Sequence, residues 1–248
     1  MEQGKYLYAV IAVADSEGMR PDVRGIDDGE IHTIVAGEAA AVVSDVPNRK
    51  MRPERRNLAA HQGVLKWLMG ITTPLPIAFG IIADNADAVK KILANNRKVF
   101  LEQLQRVKDK VEMGVRVTWD VPNIFEYFVI THPELKTLRD RYFGTNREPT
   151  QEQKIELGRM FDHLLNEDRE TYTEQVSEIL AKYCFEIKEN KCGRENEVMN
   201  LACMVGRQGM GRFEEGIFEA ANLFDNSFTF DFNGPWAPHN FVDISLNI

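Results

Sequence analysis

Three observations predict an α+β protein of two domains. Residues 5–14 form a near-continuous apolar run, the pattern of a strand buried on both faces in the middle of a sheet. Two shorter strand-like runs, a helical stripe and a further strand-like run follow before Asp84, and the segment beyond it repeats strands and helices with longer helices. A chain of 248 residues is also long enough to bury two cores.

Each element follows from its residues. After the turn-rich "DSEGMRPDVRGIDDGE", the runs "IHTIVAG" and "AAAVVSDVP" predict a hairpin about Gly37-Glu38. Leu58, Leu65, Leu68 and Met69, with His61 between them, recur at helical spacing, and Pro53 is tolerated near the first turn of that helix. "LPIAFGII", bounded by Pro74 and Asp84, predicts one strand. Asp84 or Asn85 then caps a single long helix over 85–110, with Val89, Ile92, Leu93, Phe100, Leu104, Val107 and Val111 as its apolar stripe. "VRVTWDV" alternates as a half-buried strand does.

Two helical stretches come next, the second opening on the capping box of Thr150 and Gln153 and running to about Lys182. "CFEIKEN" and "VMNLACMV" predict strands, and Phe213, Ile217, Phe218, Ala221 and Phe224 predict a helix. "SFTFDFNG", with Phe228, Phe230 and Phe232 alternating with polar residues, gives a last strand. Both halves fit the split βαβ, or ferredoxin-like, plan, and in the first half the opening helix is reduced to a loop. The expected division is residues 1–84, a modified ferredoxin-like domain, and residues 85–248, an α+β domain with ferredoxin-like strand order. The second would include a bridging helix at 85–110 and a C-terminal strap at 233–248.

Composition narrows the function classes. The formal net charge of -8, from 30 basic and 38 acidic residues, repels nucleic acid at long range. The basic run "RKMRPERR", Arg49 to Arg56, reads either as a solvated loop entering a helix or as a phosphate site. Cys184, Cys192 and Cys203 are not spaced as CxxC, which predicts reduced thiols and a cytosolic home. "YLYAVIAVA" is too short and too strand-like for a secretory leader, and no stretch approaches the ~20 apolar residues of a membrane helix. The expected partners therefore include neither nucleic acid nor membrane.

No catalytic, metal-binding or cofactor-binding set emerges. The histidines at 32, 61, 132, 163 and 239 are scattered, without an HExxH or Cys/His ligand box. His61 reads as a satisfied core imidazole and Cys203 as a core thiol. The nearest approach to enzyme chemistry is "VGRQGMGRFEEG", where Gly206, Gly209 and Gly211 lead from a strand into a helix whose amides could receive phosphate. The order is GxxGxG and lacks the Lys-Ser/Thr of a P-loop, so a tight strand-to-helix turn explains it equally. A nucleotide-binding enzyme using the Gly206–Gly211 loop is accordingly the alternative reading.

The pieces "YLYAVI", "AAVVSDVP", "HQGVL", "PLPIAFG" and "GPWAPHNFV" occur in one order over residues 6–242, and on them the sequence resembles the gas vesicle protein F/L family. Family members often carry a basic residue at the position of Ala78, and Pro, Tyr and Ser at those of Ala237, His239 and Asn240. The resemblance implies a non-enzymatic minor component of gas vesicles that acts within the cytoplasm. It implies assistance to shell assembly, with the hydrophobic shell subunit, gas vesicle protein A, as partner beside other vesicle accessory proteins. Two readings of "GPWAPHNFV" stand together. It is an extended strap, with Asn233-Gly234 ending the last strand and Trp236 and Phe241 anchoring the chain. Alternatively, Pro235, Trp236, Pro238 and Phe241 border a partner-binding surface.

Overall fold

The computed structural model describes residues 3–144 and 148–244. It is α+β, and the chain divides by contact density into two compact units: Met1–Met113 with Met204–Arg207 and Gly234–Ile248, and Gly114–Cys203 with Gln208–Asn233. This differs from a division at Asp84, because residues 85–113 and the segment from Gly234 group with the first 84 residues.

In the first unit, β1 (Gln3–Ala12) is the central strand, with Tyr6 to Ile11 at most 1% exposed. A short helical turn, α1 (Val13–Ser16), and a 3-10 turn at Ile26–Asp28 stand where the plan has its first helix. Asp27 and Asp28 adopt φ of 52° and 58° there. β2 (Ile31–Ala36) and β3 (Ala39–Pro47) form the expected hairpin, with Ala36 opposite Ala39. Gly37, at φ 64°, supplies the positive φ such a two-residue turn needs.

The helix α2 (Arg55–Met69) buries Asn57, His61, Val64, Leu65, Leu68 and Met69. Leu58 shares the face of Leu65 and Met69 but stands in the first turn of α2, where it is 40% exposed. The single strand expected from "LPIAFGII" is instead two short pieces, β4 (Leu75–Pro76) and β5 (Ile82–Ala83), both antiparallel to β1. They are parted by an excursion in which Gly80 takes φ 91° and donates its N–H to the Tyr6 hydroxyl at 3.0 Å. The order β2-β3-β1-β4, with neighbouring strands antiparallel, is that of the split βαβ plan.

The long helix expected over 85–110 is two helices, α3 (Ala86–Asn95) and α4 (Arg97–Val107). Asn96, 4% exposed, turns its amide back to the Ile92 carbonyl at 2.8 Å with the backbone at φ -107°, the local competition through which asparagine ends helices. Asn85 does cap α3, accepting from the Ala88 N–H at 2.9 Å. α3 packs on β2 and β3 and α4 on β1 and β3, which is why both belong with the first sheet.

The second sheet begins with β6 (Lys110–Trp119), followed by α5 (Ile124–Thr131), α6 (Pro133–Phe143) and α7 (Gln151–Leu180). The first of the two helical stretches expected here is thus broken at Pro133, which cannot donate within a helix. The capping box of Thr150 and Gln153 is formed as expected. β7 (Glu186–Glu189), β8 (Glu197–Gly206), α8 (Met210–Ala221) and β9 (Phe228–Trp236) complete the order β7-β8-β6-β9. Read as one helical layer between the first two strands, this repeats the strand order of the first sheet. Trp119 meets Phe128 edge-on at 5.4 Å, and Phe128 meets Phe161 at 5.4 Å, so aromatic contacts tie β6, α5 and α7 together. Phe218, expected on the buried stripe of α8, is 61% exposed; Phe213, Gly216, Ile217 and Ala220 make that face instead.

His61 is a satisfied core residue, as its sequence position suggested. Its Nδ1 lies 2.9 Å from the Tyr6 hydroxyl, which already accepts from Gly80, so the network assigns Tyr6 as donor and a neutral imidazole as acceptor. Burial, with a smaller contribution from the charge of His239, lowers the His61 pKa to about 4 from 6.5. The neutral ring stabilises the fold fully above pH 6.5, and this contribution is lost as pH falls towards about 4. The loss should be on the order of 3 kcal/mol. Thermal unfolding followed from pH 7.5 to 4 should show a steeper decline for the wild type than for His61→Phe. Equal slopes would remove His61 from the acid response. Thr150→Ala should cost about 1 kcal/mol, read from the urea midpoint.

Candidate functional site

The C-terminal segment departs from the expected strap at its start. β9 does not end at Asn233-Gly234 but runs on to Trp236. Gly234 takes φ 135°, and a Cβ there would meet the Met113 sulfur at 2.7 Å and the Glu112 carbonyl at 3.0 Å, so the close approach of the two strands requires glycine. The Gly234-Pro235 peptide is cis.

Beyond Trp236 the chain turns inward. Ala237 and Pro238 are buried, a 3-10 turn spans His239–Phe241, and Phe241 is fully enclosed. Two side chains of the first unit hold this turn. Glu112, itself 7% exposed, accepts from the Asn240 backbone N–H at 2.8 Å and from its side-chain amide at 2.7 Å. Arg106 donates to the Phe241 carbonyl at 3.0 Å. These charge-assisted bonds satisfy backbone groups that no sheet or helix ladder reaches.

The four singled-out residues therefore divide. Pro238 and Phe241 point into the core, whereas Pro235 and Trp236 are exposed, Trp236 to 43%. None of the four lines the open apolar groove of about 300 Å³ that the fold builds from Pro76, Ile77, Ala78 and Ile81 on one side and His239, Val242 and Ile244 on the other. Sequence reasoning missed this groove and its lining. Its walls come from "PLPIAFG" and "GPWAPHNFV" with the residues just beyond them, the two most distinctive stretches of the sequence. Of the strap expected over 233–248, residues 245–248 lie outside the described residues.

The other candidates resolve into structural roles. The Gly206–Gly211 stretch is a strand end, a 3-10 turn at Arg207–Gly209 and the start of α8. The Arg207 guanidinium donates to the carbonyls of Met69 at 2.5 Å and Thr72 at 3.0 Å, closing the exposed end of α2. Arg212 lies 5.7 Å over the Tyr183 ring. The two cations of the loop are thus engaged by protein groups and not aimed at a phosphate cradle. The basic residues from Arg49 to Arg56 are exposed where the chain enters α2. Among the described residues no three His, Cys, Asp or Glu side chains are grouped to hold a metal ion. No helix among them is long and apolar enough to cross a membrane.

The pinning of the tail is testable. Glu112→Ala leaves the Asn240 donors without their acceptor and should destabilise the protein by about 1–3 kcal/mol. Amide exchange at residues 239–242 should rise more than in β1, and uniform change across the first unit would contradict a local clamp.

Comparison with known proteins supplies the family. The family model described as "Gas vesicle synthesis protein GvpL/GvpF" matches residues 4–243. Gas vesicle protein F of Streptomyces sp. (strain CB03234) is 29% identical over 245 residues, covering 96% of this chain and 99% of that one. The corresponding protein of Dolichospermum flosaquae is 25% identical over 96% of this chain and 97% of its own. The fold matches the crystal structure of the gas vesicle protein GvpF from Anabaena sp. PCC7120 with a TM-score of 0.83, at 23% identity, over 98% of this chain and 99% of that chain. The chain belongs to the gas vesicle synthesis protein GvpL/GvpF family and has a gas vesicle-associated role.

Proposed function

We propose that this protein assists gas vesicle assembly in the cytoplasm, without catalysis, by binding the hydrophobic shell subunit, gas vesicle protein A, and limiting its aggregation. The observation that carries the reading is the apolar groove between Pro76–Ile81 and His239–Ile244. A wall that keeps liquid water out of a gas space presents continuous apolar surface, and its subunits expose that surface before they assemble. A protein with net charge -8 stays dispersed while shielding such a patch locally. The groove takes an apolar side-chain row of the kind an amphipathic helix presents, and Trp236, exposed and outside the groove lining but three residues before His239, offers an aromatic anchor.

The test uses the full-length chain, with an unrelated acidic protein as control, to retain freshly diluted shell subunit in a pull-down and to suppress its light scattering. Val242→Asp, at the half-buried groove wall, should reduce capture at least ~10-fold, and Trp236→Ala should reduce it with little change in melting temperature. Undiminished capture by both variants would remove this surface from the interaction. Capture by the wild type no better than the control would remove the shell subunit as direct partner.

A further inference from the structure

We propose that Cys184 and Cys203 form a peroxide-responsive thiol pair, in which Cys184 is oxidised first and then condenses with Cys203 to a disulfide tying the end of α7 to β8. Cys184 follows α7 in the turn leading to β7, and both its backbone N–H and its thiol lie 3.1 Å from the Leu180 carbonyl. β7 and β8 are neighbours in the sheet, and the Asn190 N–H to Asn200 carbonyl bond, at 2.7 Å, sets their alignment. That alignment sets Ile187 opposite Cys203, and Cys184, still in the turn before β7, meets Cys203 through its side chain: the two thiols are hydrogen-bonded.

The two sulfurs are unequal. Cys203 is fully buried, out of reach of solution, while Cys184 is half-buried. The hydrogen bond from Cys203 holds the Cys184 pKa below that of an ordinary thiol; burial opposes it, and the Glu186 backbone N–H adds to it. Cys192 differs: burial raises its pKa, and its sulfur faces the Val198 carbonyl at 3.6 Å. Thiolate character and access together select the cysteine that a small oxidant attacks.

The chemistry balances with hydrogen peroxide as oxidant. The Cys184 thiolate attacks one peroxide oxygen, the O–O bond breaks, and the departing hydroxide takes a proton to become water, leaving a sulfenic acid on Cys184. The Cys203 sulfur then attacks the Cys184 sulfur, the S–O bond breaks, and the leaving hydroxyl departs as water with the Cys203 proton. Two thiols are oxidised to one disulfide, and one peroxide is reduced to two waters.

Whole protein treated with dilute peroxide should lose the mass of two hydrogens, regain it with dithiothreitol, and yield a Cys184–Cys203 linked peptide under non-reducing digestion. Cys192→Ser should behave like wild type. Cys184→Ser, its fold checked by circular dichroism, should lose the mass change, leaving Cys203 alkylatable after unfolding. Accumulation of sulfinic acid on Cys184 with Cys203 still reduced would overturn the pairing. So would a linked peptide containing Cys192, a Cys184-linked dimer, or no oxidation of Cys184 at peroxide levels that oxidise a cysteine peptide.

Discussion

The enclosure of β1 on both faces and both edges is the constraint on which the first unit depends. Its backbone is paired with β3 on one side and with β4 and β5 on the other, so its donors and acceptors are met without water. Its side chains then have to be apolar or carry a polar tip that finds a partner. Tyr6 and Tyr8 do the second. Their rings, 4.8 Å apart, fill the core, while the Tyr8 hydroxyl holds the Ile26 N–H at 2.8 Å and the Tyr6 hydroxyl holds Gly80. Two irregular stretches, the 3-10 turn at Ile26–Asp28 and the excursion between β4 and β5, are thereby fixed from the middle of the sheet. That excursion is also one wall of the apolar groove, so the groove inherits its shape from the central strand.

How much of this the sequence disclosed depends on the range of the interaction concerned. Strand order was legible because an apolar run such as residues 5–14 and the alternation from Val115 to Trp119 report burial residue by residue. Element breaks were not. The interruptions at Asn96 and Gly80 each rest on one hydrogen bond that periodicity cannot register, and Pro133 breaks a stretch that otherwise reads as one helix. Phe218 at the margin of its stripe and Leu58 in the first turn of α2 are exposed for a related reason. A helical stripe is wide enough to admit a residue at its margin, and only the shape of the opposing surface decides whether it is covered. The groove escaped notice because its walls lie far apart in sequence. Each wall was visible as a distinctive motif, but their meeting is a property of the fold.

The same distinction explains the fate of the chemistry-like signals. Gly206, Gly209 and Gly211 resemble a phosphate cradle when only backbone freedom is considered. In three dimensions the adjoining guanidinium of Arg207 is committed to carbonyls at the end of α2, and that commitment makes the turn a structural joint. His61 likewise lies where burial, not reactivity, determines the residue type. The cysteine that stands out is Cys184, whose environment is set by its contact with buried Cys203, which the CxxC count does not address.

The first unit is discontinuous in sequence: it draws on residues up to Met113, a short insert from β8, and the segment from Gly234 onward. Protein synthesis is vectorial, so its core strand leaves the ribosome long before the turn containing Phe241 that seals it. During that interval the surface that will receive Phe241 and the groove-lining side of Pro76–Ile81 stand uncovered. The nascent chain therefore passes through a period in which it has the same exposed apolar character attributed to the shell subunit. Slowing codons placed between residues 113 and 234 would lengthen that exposure.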